Sequence, residues 1–413
     1  MELEELVGRS LSLAKPWKIT SAELVEDTNI VEIHVTYKGK MGPCPECGKI
    51  CKQYDMVERR WRHLDILHCQ SWVVCQVPRV RCEEHKVKRI DVPWSDGWAR
   101  FTSQFECVVI DWLLVASMSA TGRNLGLTWD QVNGIQERAV KRGLARREAI
   151  APSRVGVDET SFQKRHEYVT IVTDLDDSRV LYVADGRGKA SLNGFFEDFG
   201  PERTSSLNVI AMDMHAPFIY SAADYVSDVA DKICFDRFHV AQMLGKVVDK
   251  VRRAESKRLA PEGDDSLKGT RYLWLKTVRD LPRKLRRELI TLVASATKVA
   301  NVWAIKEAAS KLWHYKSKTW AQNAWIQLCK MAFQLQIPAL GRAFETILNH
   351  LYGILNAITM NASNAASESI NSRVQGLKKR ANGYRNRARF RDAIYFHFGG
   401  LDLYPARPFH SNS

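Results

Sequence analysis

Two aspartates sit where a sheet could use them for chemistry. Asp158 closes the run Arg154-Val155-Gly156-Val157, which is apolar, too short for a helix, and reads as a buried strand. Asp213 closes a second such run, Asn208-Val209-Ile210-Ala211-Met212. Carboxylates at the carboxyl ends of strands lie at the edge where α/β proteins place their sites. One Asp after a strand merely turns the chain; two on neighbouring strands repel each other unless a divalent cation lies between them. Oxygen ligands without His or Cys suit Mg2+ or Mn2+. Two such ions, about 3.5–4 Å apart, can activate an attacking oxygen and stabilise a leaving oxygen at a phosphodiester.

That chemistry calls for a third acid. Glu368 lies in the first turn of a helix over 365–381, which Asn364 can cap and Gly383 can end. Ile370, Val374 and Leu377 form its apolar stripe, while Glu368, Asn371 and Gln375 share another face. A first-turn Glu is also what the helix dipole favours on any surface. Glu345 is the rival, set in a plain amphipathic pattern of Ala343-Phe344 and Ile347-Leu348.

The elements around these acids have a definite order. Tyr168–Thr173 and Val180–Ala184 read as strands joined by the turn Asp176-Asp177-Ser178. A helix from Ser191 to Phe199, the strand ending at Asp213, a helix from Pro217 to Tyr225 and a fifth strand, Asp231–Asp236, follow. Three antiparallel strands, helix, strand, helix, strand is the order of a ribonuclease-H-like α/β core, in which the first and fourth strands are neighbours. Residues 240–355 then read as a large all-helical insertion. Its tryptophans, Trp274, Trp303, Trp313, Trp320 and Trp325, are expected in its core, with base stacking open to one of them.

A second constellation lies upstream. Cys44-Pro-Glu-Cys47-Gly48 is a zinc knuckle, a tight turn presenting two thiolates to one ion. Cys82-Glu-Glu-His85 supplies the other half, with strand-like segments between, which suits a ribbon and not a ββα finger. Cys51, Cys69 or Cys75 could replace His85 as fourth ligand. Four protein ligands leave no open position, so the zinc is expected to be structural. After a β-rich lead-in that includes a strand over 29–37, residues 102–147 read as helices. Thr128 and Gln131 can form a capping box on the third, with Val132, Ile135 and Val140 facing inward. The pattern fits a helix-turn-helix, although any three-helix bundle looks similar. Asn133, Gln136, Arg138, Lys141 and Arg142 are expected on its exposed, DNA-reading faces.

Charge bears on the partner. The net charge is +14, but 154–236 carry −7 and 237–320 carry +12. An acidic segment followed by basic ones suits cations held at one spot with polyanion around it. Lys378, Lys379, Arg380 and Arg385 open a basic tail suited to phosphates. No apolar run approaches about 18 residues, and the acidic start Met1-Glu-Leu-Glu-Glu5 is no signal peptide, so a cytoplasmic, nucleoid-associated protein is expected.

The chain resembles a DDE transposase of a bacterial insertion sequence, of the L-three class with an N-terminal zinc-ligand domain. The resemblance is carried by Cys44-Pro-Glu-Cys47-Gly, Val155-Gly-Val-Asp158-Glu159, Ala211-Met-Asp213-Met, Phe235-Asp236-Arg-Phe-His239-Val, Arg271-Tyr-Leu-Trp274-Leu-Lys, Ser363-Asn-Ala-Ala-Ser-Glu368-Ser-Ile-Asn371 and Leu377-Lys-Lys-Arg-Ala-Asn-Gly-Tyr-Arg-Asn. It runs from about residue 40 to 400. It implies that Asp158, Asp213 and Glu368 are a catalytic triad binding two divalent ions. It also implies that Asp236-x-x-His239 supports DNA near the cleavage site, like a similar element of hAT and Mutator transposases. Such an enzyme would bind terminal inverted repeats, cut and join DNA, and pair two ends as a homodimer. The implied layout is a β-rich zinc domain (1–100), a helix-turn-helix (101–150), a catalytic core (151–239), the helical insertion (240–355), and the last core helix with the tail (356–413). A catalytically dead DNA-binding regulator and a ribonuclease-H-class nuclease are the competing readings.

Overall fold

A computed structural model describes residues 3–405 apart from 12, 164–166, 296 and 363. The chain divides into two compact units, 1–148 with 395–413, and 149–394.

In the first unit a short helix, α1 (Leu3–Ser10), precedes strands β1 (Trp17–Leu24), β2 (Ile30–Tyr37), β3 (Met41–Pro43), β4 (Ile50–Ile66), β5 (Cys69–Cys82) and β6 (Lys86–Arg89). They form one sheet in the order β1-β2-β5-β4-β3, with β6 also on β5. The strand-like sequence expected between the two zinc half-sites includes one continuous strand, β5, that ends on Cys82. Trp61 and Trp94 are fully buried and meet edge to face, with ring centroids 5.4 Å apart.

Helices α2 (Ser103–Val115), α3 (Met118–Leu125) and α4 (Trp129–Arg146) follow. Thr128 and Gln131 form the expected capping box on α4, and Val132, Ile135 and Val140 are buried. The rest of the α4 reading needs correction. Gln136 is buried, and Arg138 and Arg142 both bind Glu106, a carboxylate only 2% exposed on α2. Buried charge must be paired, so these two arginines serve the bundle. Lys141 is exposed and Asn133 half-exposed. The chain's last stretch also belongs here. Phe396 and Leu403 join the same core, Arg142 donates to the Leu403 carbonyl, and Arg146 pairs with Asp402.

The second unit opens with β7 (Arg154–Gln163), β8 (Glu167–Asp174) and β9 (Arg179–Asp185), an antiparallel meander. After α5 (Lys189–Phe199) and α6 (Pro201–Ser205), β10 (Val209–Met212) pairs parallel with β7. After α7 (Ala216–Tyr225), β11 (Ile233–Phe235) pairs parallel with β10. The order is β11-β10-β7-β8-β9, so the first and fourth strands of this sheet are neighbours as expected. Two boundaries differ. Residues 229–232 form a helical turn, α8 (Val229–Lys232), which shortens the last strand. And β7 does not stop at Asp158: its pairing with β8 runs on to Gln163, while its pairing with β10 ends at Gly156.

From Asp236 onward the unit is helical: α9 (Arg237–Leu259), α10 (Arg271–Leu275), α11 (Arg283–Ser295), α12 (Thr297–Leu312), α13 (Lys318–Gln334), α14 (Pro338–Asn349), α15 (Leu351–Thr359), α16 (Ala365–Arg380) and α17 (Arg387–Phe398), which continues into the first unit. Trp274 and Trp325 are fully buried core, whereas Trp320 is 71% exposed. No helix among the described residues is long and apolar enough to cross a membrane.

Candidate active site

Side chains of a strand alternate between faces. On β7, Val155 and Val157 enter the main core. Gly156, Asp158, Thr160 and Phe162 therefore share the other face, and α16 lies along it. A Cβ at Gly156 would overlap Ser367 Oγ and Asn364 Oδ1. Asn371 Nδ2 donates to Asp158 Oδ2 at 2.6 Å, Gln375 donates to Thr160 Oγ1, and Lys378 Nζ donates to the Ser161 carbonyl at 2.9 Å. One helical turn rises about 5.4 Å and two strand residues about 6.6 Å, so successive turns meet successive outward residues. The face predicted to hold Glu368, Asn371 and Gln375 is the one turned to β7. Asn364 occupies the N-cap position without capping: among the described residues its buried Oδ1 has no hydrogen-bond partner. Ser363 lies outside the described residues.

Register brings the acids together. Ala211 is level with Gly156, where the pairing of β10 with β7 ends, and just past it Asp213 lies near enough to Asp158 to act on its charge. Met212 is level with Phe235, so Asp236 follows level with Asp213. Three carboxylates thus stand in a row across three adjacent strands, and Glu368 faces them from α16. Burial is the main force raising Asp158 to about 6, with the neighbouring Asp213 adding to it against the Glu159 N–H and His239. Glu368 is exposed as a residue, but desolvation of its carboxyl, then a side-chain hydrogen bond with Asp236 and the charges of Asp236 and Asp158, raise it to about 7. Asp236 is buried; its Oδ1 accepts from the Phe238 N–H at 3.0 Å, and among the described residues its carboxyl meets no other donor than a protonated Glu368. Asp236, expected in an element that supports DNA near the cleavage site, turns its buried carboxyl to the other acids. His239, one turn into α9, is half-buried near Asp158 and Glu368.

Crowded acids that raise one another, Asp236 and Glu368 in side-chain contact, with the amide oxygen Asn371 Oδ1 beside them lacking a partner among the described residues, fit a hard divalent cation. Among the described residues, the one His/Cys/Asp/Glu group whose ligand atoms all lie within 4.8 Å is elsewhere: Cys44, Cys47, Cys82 and His85. Thiolates 2.3 Å from a tetrahedral ion stand about 3.8 Å apart. Cys47 and Cys82 Sγ are 3.8 Å apart, and His85 Nδ1 is 3.8 Å from Cys44 and 3.6 Å from Cys82. The first knuckle closes through Gly48 N–H to the Cys44 carbonyl, with Gly48 at φ 73°. His85 therefore completes the quartet without Cys51, Cys69 or Cys75. Hydrogen bonds from His85, backbone first, lower Cys82 to about 6, toward the thiolate zinc needs.

The basic residues after Glu368 divide. Lys378 is turned onto β7, and Arg387 pairs with Glu167; Lys379, Arg380 and Arg385 are exposed.

Sheet, acid row and zinc quartet together define a DDE transposase with an N-terminal zinc ribbon, an enzyme acting on DNA. The chain belongs to the ISL3 (L-three) transposase family, whose model, described as a transposase, matches residues 155–394. A second model, the zinc-finger of transposases IS204, IS1001, IS1096 and IS1165, matches residues 40–85. Among curated relatives, the transposase for insertion sequence element IS1001 of Bordetella parapertussis is 26% identical over 94% of this chain and 97% of its own. The transposase for IS1557 of Mycobacterium tuberculosis is 28% identical over 83% of this chain and 82% of its own. No solved structure matches.

Proposed function

We propose that the chain binds the terminal inverted repeats of its own insertion sequence and cuts and joins DNA strands at the acid row, on a ribonuclease-H-like core that 240–355 interrupt. The observation that carries this is the register placing Asp213 near Asp158, with Glu368 facing both strands from α16. Asp158, Asp213 and Glu368 would hold the cations, with Asp236 beside them. When bound, two Mg2+ or Mn2+ ions would polarise the scissile phosphate and stabilise the charge developing on the attacking and leaving oxygens. The chain's own residues fix the geometry. Asn371 holds one oxygen of Asp158 and the Glu159 N–H the other, so that carboxylate cannot rotate. His239 offers a proton-bearing ring at the mouth of the row.

Strand cutting by water and joining by the freed 3′-hydroxyl are both in-line displacements at phosphorus, so one site serves both. The exposed Lys141, Lys379, Arg380 and Arg385 and the half-exposed Asn133 would contact DNA. Two ends must be held together, which calls for a homodimer on DNA. Substituting Asp213 by Ala tests the assignment against a regulator with a dead core. Binding to a labelled end duplex should survive while Mg2+-dependent cleavage disappears; cleavage that persists refutes the triad.

A further inference from the structure

Beyond Asp213 a cavity of about 500 Å3 opens between α9 and α14. It begins at the acid row, with Asp213 and His239 in its wall, and follows α9. Lys246 and Lys250, four residues apart, lie on one side of that helix, and Arg342 reaches in from α14. Farther along α9, Arg252 and Arg253 pair with Asp249 and Arg258 with Glu255, acids that Arg271 and Lys298 of later helices also reach, while Arg237 and Lys257 have no carboxylate partner among the described residues. Among the described residues no carboxylate pairs with Lys246, Lys250 or Arg342; Lys246 meets only the Gln242 side-chain oxygen, at 2.9 Å. Between these cations the wall is apolar, from Met243, Val247 and Ala343.

Three unneutralised cations around an apolar wall match the two halves of a nucleotide, phosphate and base. The volume is in the range that takes a small ligand. It has room for a nucleotide or two and none for a duplex. We propose that this cavity takes an unpaired nucleotide from the strand at the cleavage junction. Its phosphates would lie on Lys246, Lys250 and Arg342 and its base against Met243. The proposal rests on the transposase reading of the acid row and adds a place for the DNA just beyond the reacting bond. Methionine adapts to varied shapes, so the pocket is expected to accept any base. Taking up a base costs least where the strand is already unpaired, so a frayed junction should bind better than a closed one.

The test uses the full chain with its zinc and without added Mg2+ or Mn2+, so that nothing is cut. Two labelled end duplexes are compared, one fully paired and one with two unpaired nucleotides at the flank, with 2-aminopurine at the first flanking position. The wild type should prefer the frayed duplex about tenfold and raise the 2-aminopurine fluorescence. The triple variant Lys246→Ala/Lys250→Ala/Arg342→Ala should lose both effects, and its salt slope on the frayed duplex should fall by about three. Lys246→Arg/Lys250→Arg should keep them. All three side chains are exposed, and if the triple variant melts early, the single variants should each lower the slope by about one. Equal wild-type affinity for both duplexes, or a triple variant that retains the preference, overturns the proposal alone. A wild type that binds neither duplex overturns the transposase reading beneath it.

Discussion

Asn371 donates to Asp158 at 2.6 Å across more than two hundred residues of sequence. This bond ties the helix that carries Glu368 to the strand that carries the first acid. The site therefore depends on one helix lying in register on one strand, and on Gly156 letting it approach.

Asn371→Ala should leave the fold and DNA binding intact and slow metal-dependent nicking by about 10–100-fold, the usual cost of removing a residue that orients a metal ligand. Single-turnover nicking read beside DNA affinity separates the two effects. An unchanged rate would show that Asp158 needs no such support.

Gly156→Ala probes the same contact from the strand side. The added methyl overlaps Ser367 and Asn364, so overpacking should cost about 1–3 kcal/mol. Activity should fall further than stability alone explains, because α16 and Glu368 must move. A melt and a nicking assay on one preparation would decide.

Acidity offers a separate readout. Asp158 rises to about 6 and Glu368 to about 7 in the folded chain. The folded state therefore holds those protons more tightly than the unfolded one. With the structural zinc in place and no added Mg2+ or Mn2+, the stabilisation is complete below about pH 4 and is lost as pH climbs through 6 to 7. A two-unit rise at Asp158 corresponds to about 3 kcal/mol at most. Mg2+ should restore the melting temperature at pH 7.5 and do little at pH 4.5. Without added Mg2+ or Mn2+, a melting temperature flat from pH 4 to 8 would contradict the crowded-acid account.

Zinc content distinguishes the ligands. The wild type and Cys51→Ala should carry one zinc per chain, while Cys82→Ala and His85→Ala should lose it and loosen the β3–β4 end of the ribbon. Elemental analysis of the purified variants is sufficient.

Much of this was legible in sequence because the signals were local. Alternation and turn residues give β7, β8 and β9, the Cys-x-x-Cys knuckle gives half of the zinc site, and the Thr128–Gln131 spacing gives the cap. What was not legible depends on partners distant in the chain. Arg138 and Arg142 look like free DNA-reading cations until Glu106 is brought under them. Asp236 reads as the end of the fifth strand, and by resemblance as part of a DNA-supporting element, until the β10–β11 register brings it beside Asp213. A three-residue edge strand gives too little pattern to fix that register from sequence.

The most direct measurement is nicking of a labelled duplex carrying the element's end by the wild type and by Glu368→Gln, in Mg2+ and in EDTA. The predicted result is cleavage at the end boundary only for the wild type and only with metal, with both proteins binding the duplex equally. Metal-dependent cleavage by Glu368→Gln at the wild-type rate would contradict the assignment of Glu368 to the acid row.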